Sequence, residues 1–234
     1  DRKEFVHALM SGDVHDKEAS FRAKSDISIS CLISATMMSM LGEECILTCI
    51  SDISEMNRIR KKLELMALHD TLTGLPNRQL FYDRAAIAFA NARREKYCVA
   101  VVSLDVDRLK WINDRWGHTA GDYVLVTVGG RLSSLLRRSD TVSRFGGDEF
   151  VILLDGILLA EDAGSVAQKM IDSVAEPIVF EGNEIKISAS AGIAIFPNDD
   201  IEIEELIRKS DEAMYYIKEH GRNGYQFFSE LKWG

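Results

Sequence analysis

Arg144-Phe145-Gly146-Gly147-Asp148-Glu149-Phe150 lies between two apolar runs and combines a backbone that must turn tightly with carboxylates carried at the turn. Two successive glycines permit positive φ and let another molecule approach the chain closely. Behind them, Phe150-Val-Ile-Leu-Leu154 reads as a strand that anchors the turn. Asp148 and Glu149 are therefore expected on a rigid platform.

Upstream, Cys98-Val-Ala-Val-Val-Ser-Leu104 is almost continuously apolar, as in a central strand covered on both faces, and runs straight into Asp105-Val106-Asp107. Carboxylates at the end of a buried strand are held firmly enough to bind a hard cation. Asp105 and Asp148 come from segments that one sheet can bring together, which suits nucleotidyl transfer assisted by Mg²⁺ on oxygen ligands. A lone DxD is more often a solvated strand end. Here it is followed by Lys110-Trp-Ile-Asn113-Asp-Arg-Trp-Gly-His118-Thr-Ala-Gly-Asp122, which makes chance implausible.

Two further segments belong with these. Leu68-His-Asp-Thr-Leu-Thr-Gly-Leu-Pro-Asn-Arg78 reads as a structured loop opening a helix, with Gly74 breaking the chain and Pro76 suited to a first helical turn. Asp211-Glu-Ala-Met-Tyr-Tyr-Ile-Lys218-Glu-His-Gly-Arg222-Asn223 reads as a helix. On it Lys218 and Arg222, four apart, share one face if the helix persists through that turn.

Together these segments resemble the GGDEF family of diguanylate cyclases, which condense two GTP molecules into cyclic di-GMP. The opening loop is similar to the family's DxLTGLPNR, residues 105–122 to DxDxFKxxND…GHxxGD, and residues 211–223 to ADxALYxAKxxGRN; the likeness runs from residue 68 to about 230. It implies that Asp105 and Asp148 by side chain and Val106 by carbonyl hold the metal, with Asp148 also helping to deprotonate the 3′-hydroxyl. Glu149 would support a second metal or the incoming hydroxyl. Asn113 and Asp122 fall at guanine-reading positions, which suits an amide that donates and accepts and a carboxylate that accepts from N1 and N2. His118 falls at a substrate-contacting position, with a histidine bonding its own loop as the equal alternative. Lys110 joins the substrate-binding set, and Lys218 and Arg222 would clamp the β- and γ-phosphates, leaving the α-phosphate open to attack. One departure is Leu109 where the family usually has an aromatic; leucine fills the same apolar slot, and activity is expected to survive. Arg137-Arg-Ser-Asp140 matches, by RxxD pattern and offset, the family's inhibitory site for intercalated cyclic di-GMP dimers. An arginine there offers phosphate a fork and guanine a flat face.

The N-terminal part reads differently. Asp1 to Met10 is charged and helix-like, and the chain opens without an initiator methionine, like a piece of a longer protein. Strand-like runs follow over 20–23, 27–40 and 44–50, with Ile27, Ile29, Cys31 and Ile33 alternating and Gly42-Glu43 as hairpin turn. The ending Ile50-Ser-Asp-Ile-Ser-Glu55 and the charged helix after it resemble the exit of a PAS sensor domain, of which only the C-terminal part is present. Ser54 is the expected N-cap. Ile53, Met56, Ile59, Leu63 and Met66 recur at helical steps, as in a helix packed on its own domain or a short coiled-coil connector between protomers.

Composition narrows the classes. With 234 residues, 46% of them hydrophobic, the chain has room for one large domain and a smaller piece. A net charge of −9 argues against a duplex nucleic-acid binder, although a nucleotide enzyme whose cation screens the substrate can be acidic. Cys31, Cys45, Cys49 and Cys98 form no CxxC pair and read as buried free thiols in a reducing compartment. No apolar run approaches the ~20 residues that span a membrane, which with the absence of a signal peptide points to the cytoplasm.

The expected architecture is α+β. Helices near 76–95, 121–137, 160–175 and 203–220 alternate with strands near 98–104, 142–155 and 178–196, and the resemblance sharpens this to a palm-like domain with a central, mainly antiparallel sheet flanked by helices. The expected division is a partial PAS β-sheet over 1–53, a connector helix over 54–67 and a GGDEF domain over 68–234. The expected activity is a Mg²⁺-dependent (or Mn²⁺-dependent) diguanylate cyclase that takes GTP, works as a homodimer and is inhibited by its product. The rivals are a silent GGDEF module that binds GTP or cyclic di-GMP as a regulator, and an adenylate-type cyclase, disfavoured by Asn113 and Asp122.

Overall fold

The computed structural model describes residues 14–22 and 28–231, so the expected helix over 1–10 lies outside the described residues. The chain divides into two compact units, Asp1–Ala67 and Leu68–Gly234.

The first unit carries an antiparallel sheet in the order β1 (Val14–Arg22), β2 (Ser28–Met40), β3 (Glu43–Asp52). Alternation is kept on β2, where Cys31, Ile33 and Ala35 are buried. The hairpin turn falls one residue earlier than expected. Met40 pairs with Glu43, and Leu41 and Gly42 make the turn at φ 55 and 87. Helix α1 (Ser54–Leu68) follows. Ser54 does not cap it: its hydroxyl accepts the Ser30 N–H at 3.0 Å, while Asp52 accepts the Ser54 N–H at 2.8 Å. Met56, Ile59, Leu63 and Met66 are exposed, so the apolar stripe of α1 is not covered by its own sheet. All four cysteines are free, yet only Cys31 is buried; Cys45 and Cys98 are half-buried and Cys49 is exposed.

The second unit is built on a five-stranded sheet. In chain order its elements are α2 (Arg78–Glu95), β4 (Cys98–Val106), α3 (Leu109–Trp116), α4 (His118–Leu135), β5 (Thr141–Gly146), β6 (Glu149–Ile157), α5 (Ala160–Ala175), β7 (Ile178–Phe180), β8 (Asn183–Ile185), β9 (Ala189–Phe196), α6 (Ile203–Glu219) and β10 (Gly224–Phe227). The sheet order is β10-β9-β4-β6-β5, antiparallel except where β10 pairs parallel to β9, and β7 and β8 form a separate hairpin.

Several boundaries depart from the sequence reading for local reasons. Residues 109–116 form a helix of their own, because Gly117 at φ 83 reverses the chain before α4 begins at His118. The run 178–196 is split at Glu181-Gly182, both at positive φ. Pro76 precedes the first turn of α2; Asn77 caps that helix through its side chain, accepting the Leu80 N–H at 3.1 Å.

Strand β4 is buried on both faces, so side-chain parity decides what each residue meets. Val99 and Val101 pack with α2 and α6 residues such as Phe81, Phe89 and Leu206, whereas Ala100, Val102, Leu104 and Val106 pack with Val124, Val128 and Leu132 of α4 and Met170 of α5. Ser103 has the first parity. It shares a hydrogen bond of 2.7 Å with the Ser210 hydroxyl of α6, which also lies within donating distance of the Ile207 carbonyl at 2.8 Å. Helix α6 lies unusually close to the sheet because β9 presents Gly192 to it. A Cβ there would sit 2.0 Å from the Ser210 carbonyl oxygen and 2.2 Å from the Met214 nitrogen.

Those clashes are with backbone and cannot be relieved by a rotamer change. Gly192→Ala is expected to lower stability by about 1–3 kcal/mol, read as a lower urea midpoint at unchanged m-value. An unchanged midpoint would mean that α6 is free to lift away from β9.

Candidate functional site

Parity continues past Ser103 to Asp105, so this carboxylate also faces α6, although it is only 5% exposed. Lys218, in the last turn of α6, places Nζ 2.8 Å from Asp105 Oδ2. Burial is the dominant influence on Asp105 and lifts its pKa to about 6; Lys218 opposes the shift, while the nearby charges of Asp148 and Asp107 add to it.

The glycine turn reaches the same place. Gly146 and Gly147 have φ 147 and 54, which makes Asp148 the last turn residue before Glu149 opens β6, directly opposite Asp105 in register. The Val106 N–H donates to the Asp148 carbonyl at 3.2 Å, tying the turn to the end of β4. Asp148 is half-buried and Glu149 exposed.

Arg144 holds this turn from behind. Its Nε and Nη2 donate to the Gly147 carbonyl at 3.1 and 2.8 Å, and Nη1 donates to Asp70 Oδ1 at 2.9 Å. The same Asp70 oxygen accepts the Thr73 N–H at 2.9 Å and the Thr73 hydroxyl at 2.6 Å, and the Arg144 N–H donates to the Pro76 carbonyl at 3.0 Å. Burial pushes the Asp70 pKa upward, but the Thr73 and Arg144 hydrogen bonds outweigh it and the net shift is downward.

Asp107, 4% exposed, is saturated by its own fold. It accepts from the Ser188 and Ser190 hydroxyls at 2.6 and 2.8 Å and from the Asn223 N–H at 3.4 Å, with Arg222 Nε 3.8 Å away. Lys218 and Arg222 therefore do not share a helix face. Helix α6 ends at Glu219, and Arg222 sits in a left-handed turn at φ 64, its N–H donating to the Ile217 carbonyl at 2.9 Å. The two cations meet two different carboxylates, Asp105 and Asp107. Clefts of about 600 and 640 Å³ open beside this cluster, one lined by Glu149, Asp211 and Lys218, the other by Asp107, Arg108, Trp111 and Arg222.

Asn113 and Asp122 are brought together by the paired helices α3 and α4. Asn113 is half-buried and lies against Gly121, and Asp122, next in the chain, is exposed. His118 opens α4 and Lys110 lies in the first turn of α3, both exposed. Arg137 and Asp140 stand apart from this set, on the turn after α4, and line a cavity of about 310 Å³ with Asp162 and Lys169. The Asp140 carboxylate already works in its own turn, accepting the Arg137 N–H at 3.0 Å and the Asp155 N–H at 3.2 Å. Arg137 is exposed.

The donors at the end of β4 are all oxygen, which fits a hard divalent cation. Among the described residues no group of three or more His, Cys, Asp or Glu side chains converges as a self-contained metal site. Two carboxylates and a main-chain carbonyl suit a cation that completes its shell with water and substrate phosphate.

The profile of the family described as diguanylate cyclase, GGDEF domain, matches residues 67–224. This chain belongs to the GGDEF family. It is 43% identical over 171 residues to the bifunctional diguanylate cyclase/cyclic di-GMP phosphodiesterase MucR of Pseudomonas aeruginosa, covering 73% of this chain and 25% of MucR. It is 41% identical over 166 residues to the diguanylate cyclase TpbB of the same organism, covering 70% of this chain and 38% of TpbB. The chain thus spans well under half the length of these curated relatives. The crystal structure of the TpbB GGDEF domain superposes with a TM-score of 0.66 at 39% identity, covering 68% of this chain and 99% of that one. The GGDEF domain of DgcB from Caulobacter crescentus in complex with c-di-GMP gives 0.65 at 26% identity, covering 70% and 94%. The palm-like fold of the second unit is that of the GGDEF domains.

In this GGDEF unit the sequence reading passed over Asp70, Arg144 and Asp107 as functional groups, because their partners lie far away in the chain. The Arg144–Asp70 side chains are 10% and 20% exposed, so Arg144→Ala is expected to cost about 2–4 kcal/mol at pH 7. The folded-state pKa of Asp70 lies below 3.8, so its contribution is complete above that value and lost as pH falls through the lowered one. Urea unfolding of parent and variant across the acid range should therefore show their difference narrowing below pH 3.8. A difference that stays constant there would rule out the ion pair as its source.

Proposed function

We propose that this chain is a diguanylate cyclase that joins two GTP molecules into cyclic di-GMP with release of two pyrophosphates, using Mg²⁺, with Mn²⁺ as a substitute, and acting as a homodimer. The observation that carries this reading is the meeting of Asp105, Asp148 and Lys218 at the end of one buried strand, with Asn113 and Asp122 on the helix pair that leaves the same end.

Each protomer binds one GTP. Asn113 and Asp122 take the guanine edge; Lys218 and Arg222 hold the β- and γ-phosphates, with Lys110 and His118 beside the substrate. Asp105, Asp148 and the Val106 carbonyl would hold the divalent cation, which when bound neutralises triphosphate charge and favours ionisation of the attacking hydroxyl. The 3′-oxygen of one nucleotide attacks the α-phosphorus of the other. A new P–O bond forms, the bond to pyrophosphate breaks, and the hydroxyl proton passes to Asp148, with Glu149 supporting the incoming hydroxyl. Repetition in the opposite sense closes the ring, which one half-site alone cannot do. Arg137 and Asp140 form the product-inhibition site. The first unit is read as the C-terminal part of a PAS-like sensor over residues 1–53, with a connector over 54–67 and the GGDEF domain over 68–234, all in the cytoplasm. Among the described residues no helix is long and apolar enough to cross a membrane.

The direct test incubates nucleotide-free protein with GTP or ATP and Mg²⁺ over a range of protein concentrations. Cyclic di-GMP is expected from GTP alone, with a rate per protomer that falls on dilution below the dimer dissociation constant, and Asp148→Ala is expected to lose at least about 10³-fold in kcat. If the parent binds GTP and forms no product even where it is dimeric, the silent regulatory module replaces this reading.

The inhibitory site is tested separately. Arg137→Ala is expected to keep the parental initial rate and to remain active at cyclic di-GMP concentrations that stop the parent. Unchanged product inhibition would remove Arg137 and Asp140 from that role.

A further inference from the structure

Helix α4 contains a buried glycine that helix propensity alone disfavours. Gly121 is the fourth residue of α4 and has no positive φ, so its backbone does not need glycine, and alanine there would favour the helix by roughly 1 kcal/mol. Gly130, on the same helix, has open space where its Cβ would be. At Gly121 a Cβ would fall 1.8 Å from Asn113 Oδ1, 2.9 Å from Cγ and 3.4 Å from Nδ2. The Asn113 carboxamide rests directly on the bare Cα of α4.

The Asn113 main chain is pinned, so only its carboxamide can yield. The Asn113 main-chain carbonyl accepts the Gly117 N–H at 2.9 Å, and the Gly117 carbonyl accepts the Ala120 N–H at 3.1 Å, so the backbone reversal between α3 and α4 is bonded on both sides. Ile112 beside it is 1% exposed and anchors α3 to the core. Asp122, the other group proposed to read the base, follows Gly121 in the chain. Of the two readers, one lies on Gly121 and the other is attached to it.

We propose that Gly121 is a positioning residue for base selection: the missing Cβ seats the Asn113 carboxamide beside Asp122, and any side chain at 121 expels it. This rests on the assignment of Asn113 and Asp122 as guanine readers. The contact also explains why α4 keeps glycine in its first turn.

The test uses the whole chain and the 3′-deoxy forms of GTP and ATP, which lack the attacking hydroxyl and report affinity without turnover. Gly121→Ala is expected to bind 3′-deoxyGTP about 10- to 100-fold more weakly, as befits one or two lost hydrogen bonds, with 3′-deoxyATP changed by no more than about threefold. Asn113→Ala/Gly121→Ala should bind no more weakly than Asn113→Ala alone. Thermal unfolding gives a readout independent of nucleotide. Gly121→Ala should lower the melting temperature in the parent and raise it in the Asn113→Ala background, where the clash is gone and helix propensity remains. If the single variant fails to fold while the double variant folds, the contact is upheld; if both fail, it is not. A parent that fails to discriminate the two nucleotides overturns the guanine-reading assignment and this inference with it. A parent that discriminates, with a Gly121→Ala variant that does so equally well, overturns the role of Gly121 alone.

Discussion

Strand β4 is covered on both faces yet ends in ionisable side chains, and the rest of the second unit answers that conflict. Parity sends Ser103, Asp105 and Asp107 toward α6 and the start of β9, where a carboxylate without partners would be neutralised or would destabilise the fold. Lys218 answers Asp105, and Ser188, Ser190 and the Asn223 N–H answer Asp107. The first answer requires α6 to come down hard on the sheet, which is what Gly192 permits, while the second is made by the start of β9 and the turn after α6. The packing of the core and the charge at the strand end are therefore one requirement.

The same geometry separates two tasks by layer. The carboxylates and Lys218 belong to the α6 face, while Asn113 and Asp122 stand on α3 and α4, and α4 packs on the opposite face through Val124, Val128 and Leu132. They meet only because the chain leaves β4 at Val106, turns at Arg108 with φ 60 and enters α3 at once. Under the proposed roles, reading a base and holding a phosphate would thereby be fixed at a distance set by the end of one strand.

Much of this was legible in the sequence, and the parts that were not share a physical cause. The unbroken apolar run of β4, the double glycine and the amphipathic run of α6 each carry their own local signature. The break between α3 and α4 did not, because Lys110 to Trp116 mixes polar and apolar residues too briefly for a period to emerge. Arg222 was placed on a helix by spacing, yet Gly221 at φ 115 ends that possibility one residue earlier. The parallel pairing of β10 with β9, the saturation of Asp107 and the grip of Arg144 depend on partners 34 to 116 residues away, which no local pattern records. In the first unit the alternation of β2 was plain, but its hairpin moved by one residue because Leu41 accepts positive φ.

The bond from Arg144 has a consequence for how the second unit opens. Asp70 lies two residues beyond the last residue of α1, and through Arg144 it is joined to the Gly147 carbonyl immediately before Asp148. Because the Thr73 N–H uses the same Asp70 oxygen, the opening loop cannot fray without releasing a partly buried guanidinium. The first residues of the unit and its glycine turn, 74 positions apart in the chain from Asp70 to Arg144, are thus tied into one element, whose protected amides are expected to exchange together.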